Sequence, residues 1–368
     1  MDQINSFPTP PSAGLIEGWA PHYIDHLAPL CCLLGIPLLV TEEKIAETLS
    51  LFYPKVSVYP IPTLALPEKI TECLEVLFVC TPRILVDELL FLSQALHKKK
   101  IHSVWCPHGN SDKGHKSAHM EALDKEEIAL VYGKKMIDFL KQKKAFSQLK
   151  STVEVSNFRL RYYLENKTFY DNLLQVEILE KLPVGKKLLL YAPTWQDGEE
   201  SSSFYEATPH LIKNLPKEWN LIIKPHPNLA LKNEALYDSF LKLSQDHPNI
   251  LFLNDFPPIY PLLSIVDLYI GDFSSIGYDF LAFQKPMFFL NQQKRSKESD
   301  LGLYLYQCGT ELKPCDYPNL YTIIQNTLPE DKALFSSIRQ EVYQYTFAEE
   351  IEPGILREKI FSSCTQRS

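Results

Sequence analysis

None of the eight cysteines forms a Cys-x-x-Cys pair, so the chain encodes neither a zinc ribbon nor a thioredoxin-like redox motif. Several of them close apolar runs, as Cys80 does in Val76–Cys80, where a reduced thiol packs as a small hydrophobe. A reducing, cytoplasmic setting is therefore expected. No Gly-x-Gly-x-x-Gly follows a strand, and neither a P-loop nor a Gly-x-Ser-x-Gly elbow occurs, which argues against a dehydrogenase, an NTPase and a serine hydrolase. An Asp-x-Asp pair that would hold a divalent cation on a sugar nucleotide is also missing. No excess of positive charge exists either: the formal net charge is −8, which excludes a general nucleic-acid binder. The longest apolar run, Leu27–Val40, is too short to cross a bilayer and is broken by Pro29, Gly35 and Pro37. Met1–Ser12 is polar and proline-rich rather than basic and then apolar, so no signal peptide is expected.

What is present is a regular alternation. At 368 residues two domains are expected, and short β-rich runs alternate with helical periodicities along almost the whole chain. In the first half the strands are read at Pro37–Val40, Val56–Tyr59, Leu74–Val79, Ser103–Cys106, Ile128–Val131 and Thr152–Val155, with helices over Glu42–Leu51 and Arg83–His97. In the second half they are read at Lys187–Tyr191, Leu221–Ile223, Ile250–Leu253, Leu268–Ile270 and Met287–Leu290. Pro183, Gly185 and a cluster of lysines interrupt the pattern at Leu182–Lys187 and are taken as the linker. This predicts an α/β protein of two doubly wound Rossmann-like domains facing a cleft. Domain one covers 1–182, domain two 183–340, and a helical segment over 341–368 packs back on the first.

In such sheets ligands sit at the carboxyl ends of strands, and three loops there carry candidate chemistry. Asp272, Ser274 and Ser275 end one strand and open a helix that runs through Asp279; the segment reads either as a phosphate cradle or as an ordinary N-cap. Asp272 itself would cap the helix or orient a cation, since two anions repel. Lys224-Pro-His226-Pro reaches the end of another strand, where the lysine and histidine could neutralise a diphosphate without metal. Pro107-His108-Gly109-Asn-Ser-Asp112-Lys113 follows a strand in the first half, and His108 has the chemistry of a general base on an acceptor hydroxyl.

Weaker features surround these. Thr194 follows the first strand of the second half, beside Trp195. His22, Asp25 and His26 precede the first strand read above; they read either as residues that reach the acceptor site or as an N-terminal cap. His115 and His119 stand four residues apart, but no carboxylate–histidine metal motif surrounds them. The basic stretch Lys134–Lys144, interleaved with Met136, Ile137, Phe139 and Leu140, reads as a solvated helix face or as a contact with an anionic membrane surface.

Taken in order, these segments resemble the CDP-glycerol glycerophosphotransferase family of teichoic-acid priming and polymerising enzymes. The resemblance rests on Pro107-His108-Gly109 with Lys113, Leu190-Tyr-Ala-Pro-Thr194-Trp195, Ile223-Lys224-Pro-His226-Pro227, and Ile270-Gly-Asp272-Phe-Ser274-Ser275 through Asp279-Phe280 to Lys285-Pro286. It implies a GT-B-like fold and a CDP-linked polyol donor, with no cofactor and no metal. It implies an envelope glycan or lipid-linked acceptor, release of CMP, and work in the cytoplasm or at the inner membrane face. His108 would be the base and His226 a second catalytic group. Gly109, Lys113, Thr194, Lys224, Asp272, Ser274, Ser275 and Asp279 would bind substrate. The loop carries Asn110-Ser-Asp112 where the family usually has Thr-Pro-Leu. The lack of the polymerising members' long extra N-terminal region implies a single-addition transferase. Other readings of the same pattern are a nucleotide-sugar enzyme, either a glycosyltransferase or a UDP-GlcNAc 2-epimerase-like protein, and a GT-B-shaped scaffold without catalysis.

Overall fold

A computed structural model describes residues 10–81, 86–113, 123, 126–195, 200–296 and 299–365. The chain forms two compact units: Met1–Gly109 with Ala118–Tyr162 and Tyr345–Ser368, and Asn110–Ser117 with Tyr163–Gln344.

The first unit is built on a seven-stranded sheet of β1 (Ser12–Ile16), β2 (Leu38–Val40), β3 (Val58–Pro60), β4 (Val76–Val79), β5 (His102–Trp105), β6 (Ile128–Val131) and β7 (Ser151–Glu154). Its order is β3-β2-β1-β4-β5-β6-β7, and every pairing is parallel. Val76–Val79 and Ile128–Val131 are buried at every position, the pattern of strands covered by helices on both faces.

The second unit carries β8 (Lys187–Ala192), β9 (Trp219–Ile223), β10 (Ile250–Phe252), β11 (Leu268–Gly271), β12 (Met287–Leu290) and β13 (Thr310–Leu312). They run in the order β10-β9-β8-β11-β12-β13, again wholly parallel. Tyr191, Phe204, Leu221, Ile270 and Phe288 are central to its core. The direction of winding reverses between β8 and β11, and that switch point opens a crevice at the carboxyl ends of those strands.

The doubly wound α/β reading holds, and each strand read from the sequence appears to within a few residues. Two were not read. In β1, Ser12-Ala-Gly-Leu-Ile16 lacks the β-branched run that marks a strand, because helix packing needs small residues there. A Cβ on Gly14 would stand 2.5 Å from Cys31 Sγ. In β13 only the three residues Thr310–Leu312 pair, at the sheet edge. His22, Asp25 and His26 therefore follow the first strand rather than precede it. His22 lies in the turn Pro21–Tyr23, and the other two lie in the helix Ile24–Leu34.

The division between units also falls away from Leu182. The helix Lys167–Glu177 packs against Ile259–Ile265, and Asn220 Nδ2 donates to the Pro183 carbonyl at 2.7 Å, so the stretch read as a linker is built into the second unit. Past Gln344 the chain returns to the first unit, where Ala348 N–H donates to the Tyr132 carbonyl at 2.8 Å and Ser151 and Ser363 hydroxyls meet at 3.2 Å. The basic helix Lys134–Gln142 buries Met136, Phe139 and Leu140 in its own unit and leaves Ile137 half-buried. Among the described residues no helix is long and apolar enough to cross a membrane.

Candidate active site

In the second unit the carboxyl ends of β9, β8 and β11 lie side by side, and each delivers one of the predicted loops. Asp272, fully buried after β11, is the strut that ties the segment following β8 to the end of β11. One carboxylate oxygen accepts from Thr194 N–H at 2.7 Å, and the other from Ser203 N–H at 2.8 Å and Ser203 Oγ at 2.7 Å. Burial pushes its pKa up, while these hydrogen bonds and the Lys113 charge act the other way. Asp272 thus neither caps the helix nor faces solvent. Thr194, at 5% exposure, belongs to the same frame and leaves Trp195, at 39%, on the surface. Asp279 is buried and accepts from the Tyr260 hydroxyl at 3.0 Å.

Ser274 and Ser275 follow, both half-buried, and the helix they open is only Ile276–Phe280. So short a helix has little macrodipole, and anion binding there must come from hydroxyls and nearby cations. Two groups fit. Lys113 Nζ lies 3.5 Å from the Trp195 carbonyl and 5.6 Å from the centre of its indole. The His226 ring is 6.2 Å from that same indole. Asn228 N–H donates to His226 Nδ1 at 3.1 Å; Nδ1 must then be the acceptor, which leaves the proton on Nε2, a donor for an anionic oxygen. Lys224 Nζ donates to the Phe256 carbonyl at 2.7 Å, so this ammonium also braces the loop after β10.

The loop carrying Lys113 is anchored by a residue whose role the sequence did not reveal. Asp112, 5% exposed, accepts the Tyr278 hydroxyl on both oxygens, at 2.6 and 2.7 Å, and Leu305 N–H at 3.1 Å. Tyr278 stands on the short helix after Ser275. Asp112 therefore ties the Lys113 loop directly to the serine cradle.

His108 belongs to the first unit, after β5. Gly109 takes φ +113°, a backbone conformation closed to most side chains, which is why the turn after His108 is glycine. Three rings surround His108: Tyr23 at 5.5 Å, His26 at 6.4 Å and Trp105 at 6.4 Å between centres. Burial holds the His22 pKa below its ordinary value. The His26 pKa is held well below by burial first and then by the Arg159, His108 and His22 charges. Asp25 pairs with Arg159 at 2.6 Å and accepts the Tyr53 hydroxyl at 2.6 Å, a partly buried ion pair in place of the expected cap. His115 and His119 lie outside the described residues.

Two parallel-sheet α/β units, with ligand loops at the switch point of the second, define a GT-B-like protein. Residues 162–307 match the family described as CDP-Glycerol:Poly(glycerophosphate) glycerophosphotransferase, so the resemblance read from the motifs stands. A teichoic acid glycerol-phosphate primase of Bacillus spizizenii is 33% identical over 124 residues, covering 33% of this chain and 30% of that protein. A teichoic acid ribitol-phosphate polymerase of Staphylococcus aureus is 30% identical over 123 residues, 33% of this chain and 21% of that protein. The matched stretch thus spans a third or less of these relatives' own length. The solved structure of the wall teichoic acid polymerase TagF superposes over 100% of this chain and 92% of its own, with TM-score 0.67 at 14% identity, a likeness of fold.

Proposed function

We propose that this protein transfers a glycerophosphate or related polyol-phosphate group from a CDP-linked donor to an alcohol of an envelope glycan or lipid-linked acceptor. The observation that carries this reading is the set of donors around the β8–β11 switch point: Lys113 and the Nε2–H of His226 beside Trp195, and the Ser274 and Ser275 hydroxyls that follow Asp272, whose carboxylate ties the Thr194 and Ser203 backbone to the end of β11. Such a set suits a diphosphate, whose charge must be neutralised as the bridging oxygen departs. In the reaction the acceptor oxygen attacks the β-phosphorus, the bond from that phosphorus to the bridging oxygen breaks, and CMP leaves. His108 takes the acceptor's proton. Lys113, Lys224, His226, Ser274 and Ser275 hold the donor; Thr194, Asp272 and Asp279 shape the frame, and Gly109 permits the turn beside the base. In this reading the enzyme works on the cytoplasmic side of the membrane, where a lipid-linked acceptor is within reach.

Calorimetry with CDP-glycerol, CMP and UDP-GlcNAc tests the donor class. CDP-glycerol and CMP should bind and UDP-GlcNAc should not; the reverse pattern would overturn the reading. His108→Ala should abolish CMP release with acceptor present while leaving CDP-glycerol affinity unchanged. Transfer that survives this substitution would remove His108 as the base.

A further inference from the structure

The described residues around His108 include a buried hydrogen-bonded pair with no part in the mechanism above. Tyr132, 1% exposed at the end of β6, places its hydroxyl 3.3 Å from the Pro107 carbonyl and 3.2 Å from His26 Nδ1. A carbonyl can only accept, and a phenol has one proton to give. The Tyr132 proton therefore goes to Pro107, and the bond to His26 must be made by a proton on His26 Nδ1. This puts a proton on His26 Nδ1, and in the neutral ring the lone pair is then on Nε2. The ring so oriented is the one that meets His108 edge to face at 6.4 Å.

Tyr132 is itself held firmly. Its ring stacks on Phe158 at 5.6 Å with an interplanar angle of 9°, Phe347 meets it at 5.6 Å, and its carbonyl accepts Ala348 N–H at 2.8 Å. The returning C-terminal segment thus clamps the residue that grips Pro107.

We propose that Tyr132 and His26 are positioning residues for His108: Tyr132 fixes the backbone entering the histidine through Pro107, and His26, locked in one tautomer, walls its ring. This deepens the proposed function and rests on His108 being the base. Burial keeps His26 neutral, so it places no positive charge beside an imidazole that must pick up a proton.

The test joins spectroscopy to kinetics. In protein labelled with 15N-histidine, the His26 signals should show a protonated Nδ1 and an unprotonated Nε2; an Nε2–H tautomer in the unaltered protein would overturn the proposal without any variant. Tyr132→Phe should lower kcat for transfer from CDP-glycerol to a glycerol-phosphate-terminated acceptor by between about 10- and 100-fold, as expected for a misplaced catalytic group, with KM for CDP-glycerol unchanged. The His26 tautomer signature should be lost in the same variant. Wild-type kcat in Tyr132→Phe, or a loss explained by the unfolded fraction alone, would overturn the proposal. Inactive His108→Ala beside fully active Tyr132→Phe would sink this inference but leave the proposed function standing, whereas active His108→Ala would sink both.

Discussion

Removing the Tyr278 hydroxyl is the most informative single perturbation of the second unit. That hydroxyl donates to both oxygens of Asp112, a carboxylate only 5% exposed. Hydrogen bonds to a buried charge contribute about 1.5–3 kcal/mol, because the stranded partner keeps its desolvation cost. Tyr278→Phe, which changes no packing atoms but the oxygen, should therefore destabilise the second unit by that amount. In a unit of this size the midpoint should fall by roughly 3–12 °C. Asp112→Asn should cost a similar amount, and the double variant should be little worse than either single one, with a coupling energy of about 1.5–3 kcal/mol. Equilibrium urea unfolding, followed by tryptophan fluorescence with and without CMP, measures this. Because Asp112 precedes Lys113, both variants should also weaken CDP-glycerol binding. Strict additivity of the two substitutions, or a Tyr278→Phe variant as stable as the parent, would refute the argument.

Three other outcomes follow from the same structure. Gln can mimic the Nε2 position of histidine and Asn the Nδ1 position; His226→Gln should keep donor affinity within about threefold while His226→Asn loses about tenfold, read by calorimetry. Tyr191, Tyr269, Tyr278, Tyr306 and Tyr321 are all pushed well above the ordinary phenol range, burial being the first cause in each. Above about pH 10 the unfolded chain releases these protons and the folded one does not, so stability should fall by about 1.4 kcal/mol per pH unit for each phenol. Of the absorbance rise at 295 nm on titrating the 19 tyrosines, the part from these five should appear only with unfolding; a complete rise in the folded protein would contradict their burial. Arg159→Leu should destabilise the first unit by stranding the partly buried Asp25, by up to about 3 kcal/mol, measured by urea unfolding, and a neutral result would mean the pair does not contribute as described.

The strands and the three loops at their ends were legible because a parallel sheet covered on both faces writes itself as unbroken apolar runs, and punctuation falls where the runs stop. Val76–Val79 and Met287–Leu290 are buried at every residue and announce themselves. Strand β1 did not, since Gly14 and its small neighbours answer to a helix that packs close rather than to β-propensity. Nothing local distinguished Asp272 as a strut from Asp272 as a cap: its partners, Thr194 and Ser203, lie 78 and 69 positions away. Asp112 looked like a departure in a ligand loop, yet its partner Tyr278 is 166 positions distant and explains the carboxylate as an anchor.

By itself, then, the sequence determined the alternation of strand and helix, the doubly wound class, and which loops bear histidine, lysine and serine. These depend on periodicity and on chemistry carried by single residues. Only the tertiary structure decided which polar groups face a ligand and which are consumed in the frame. It also decided which ring nitrogen of His226 carries the proton, and that residues 110–113 and 163–182 are built into the second unit. A hydrogen bond needs two partners at about 3 Å, and no spacing along the chain records partners that folding alone brings together.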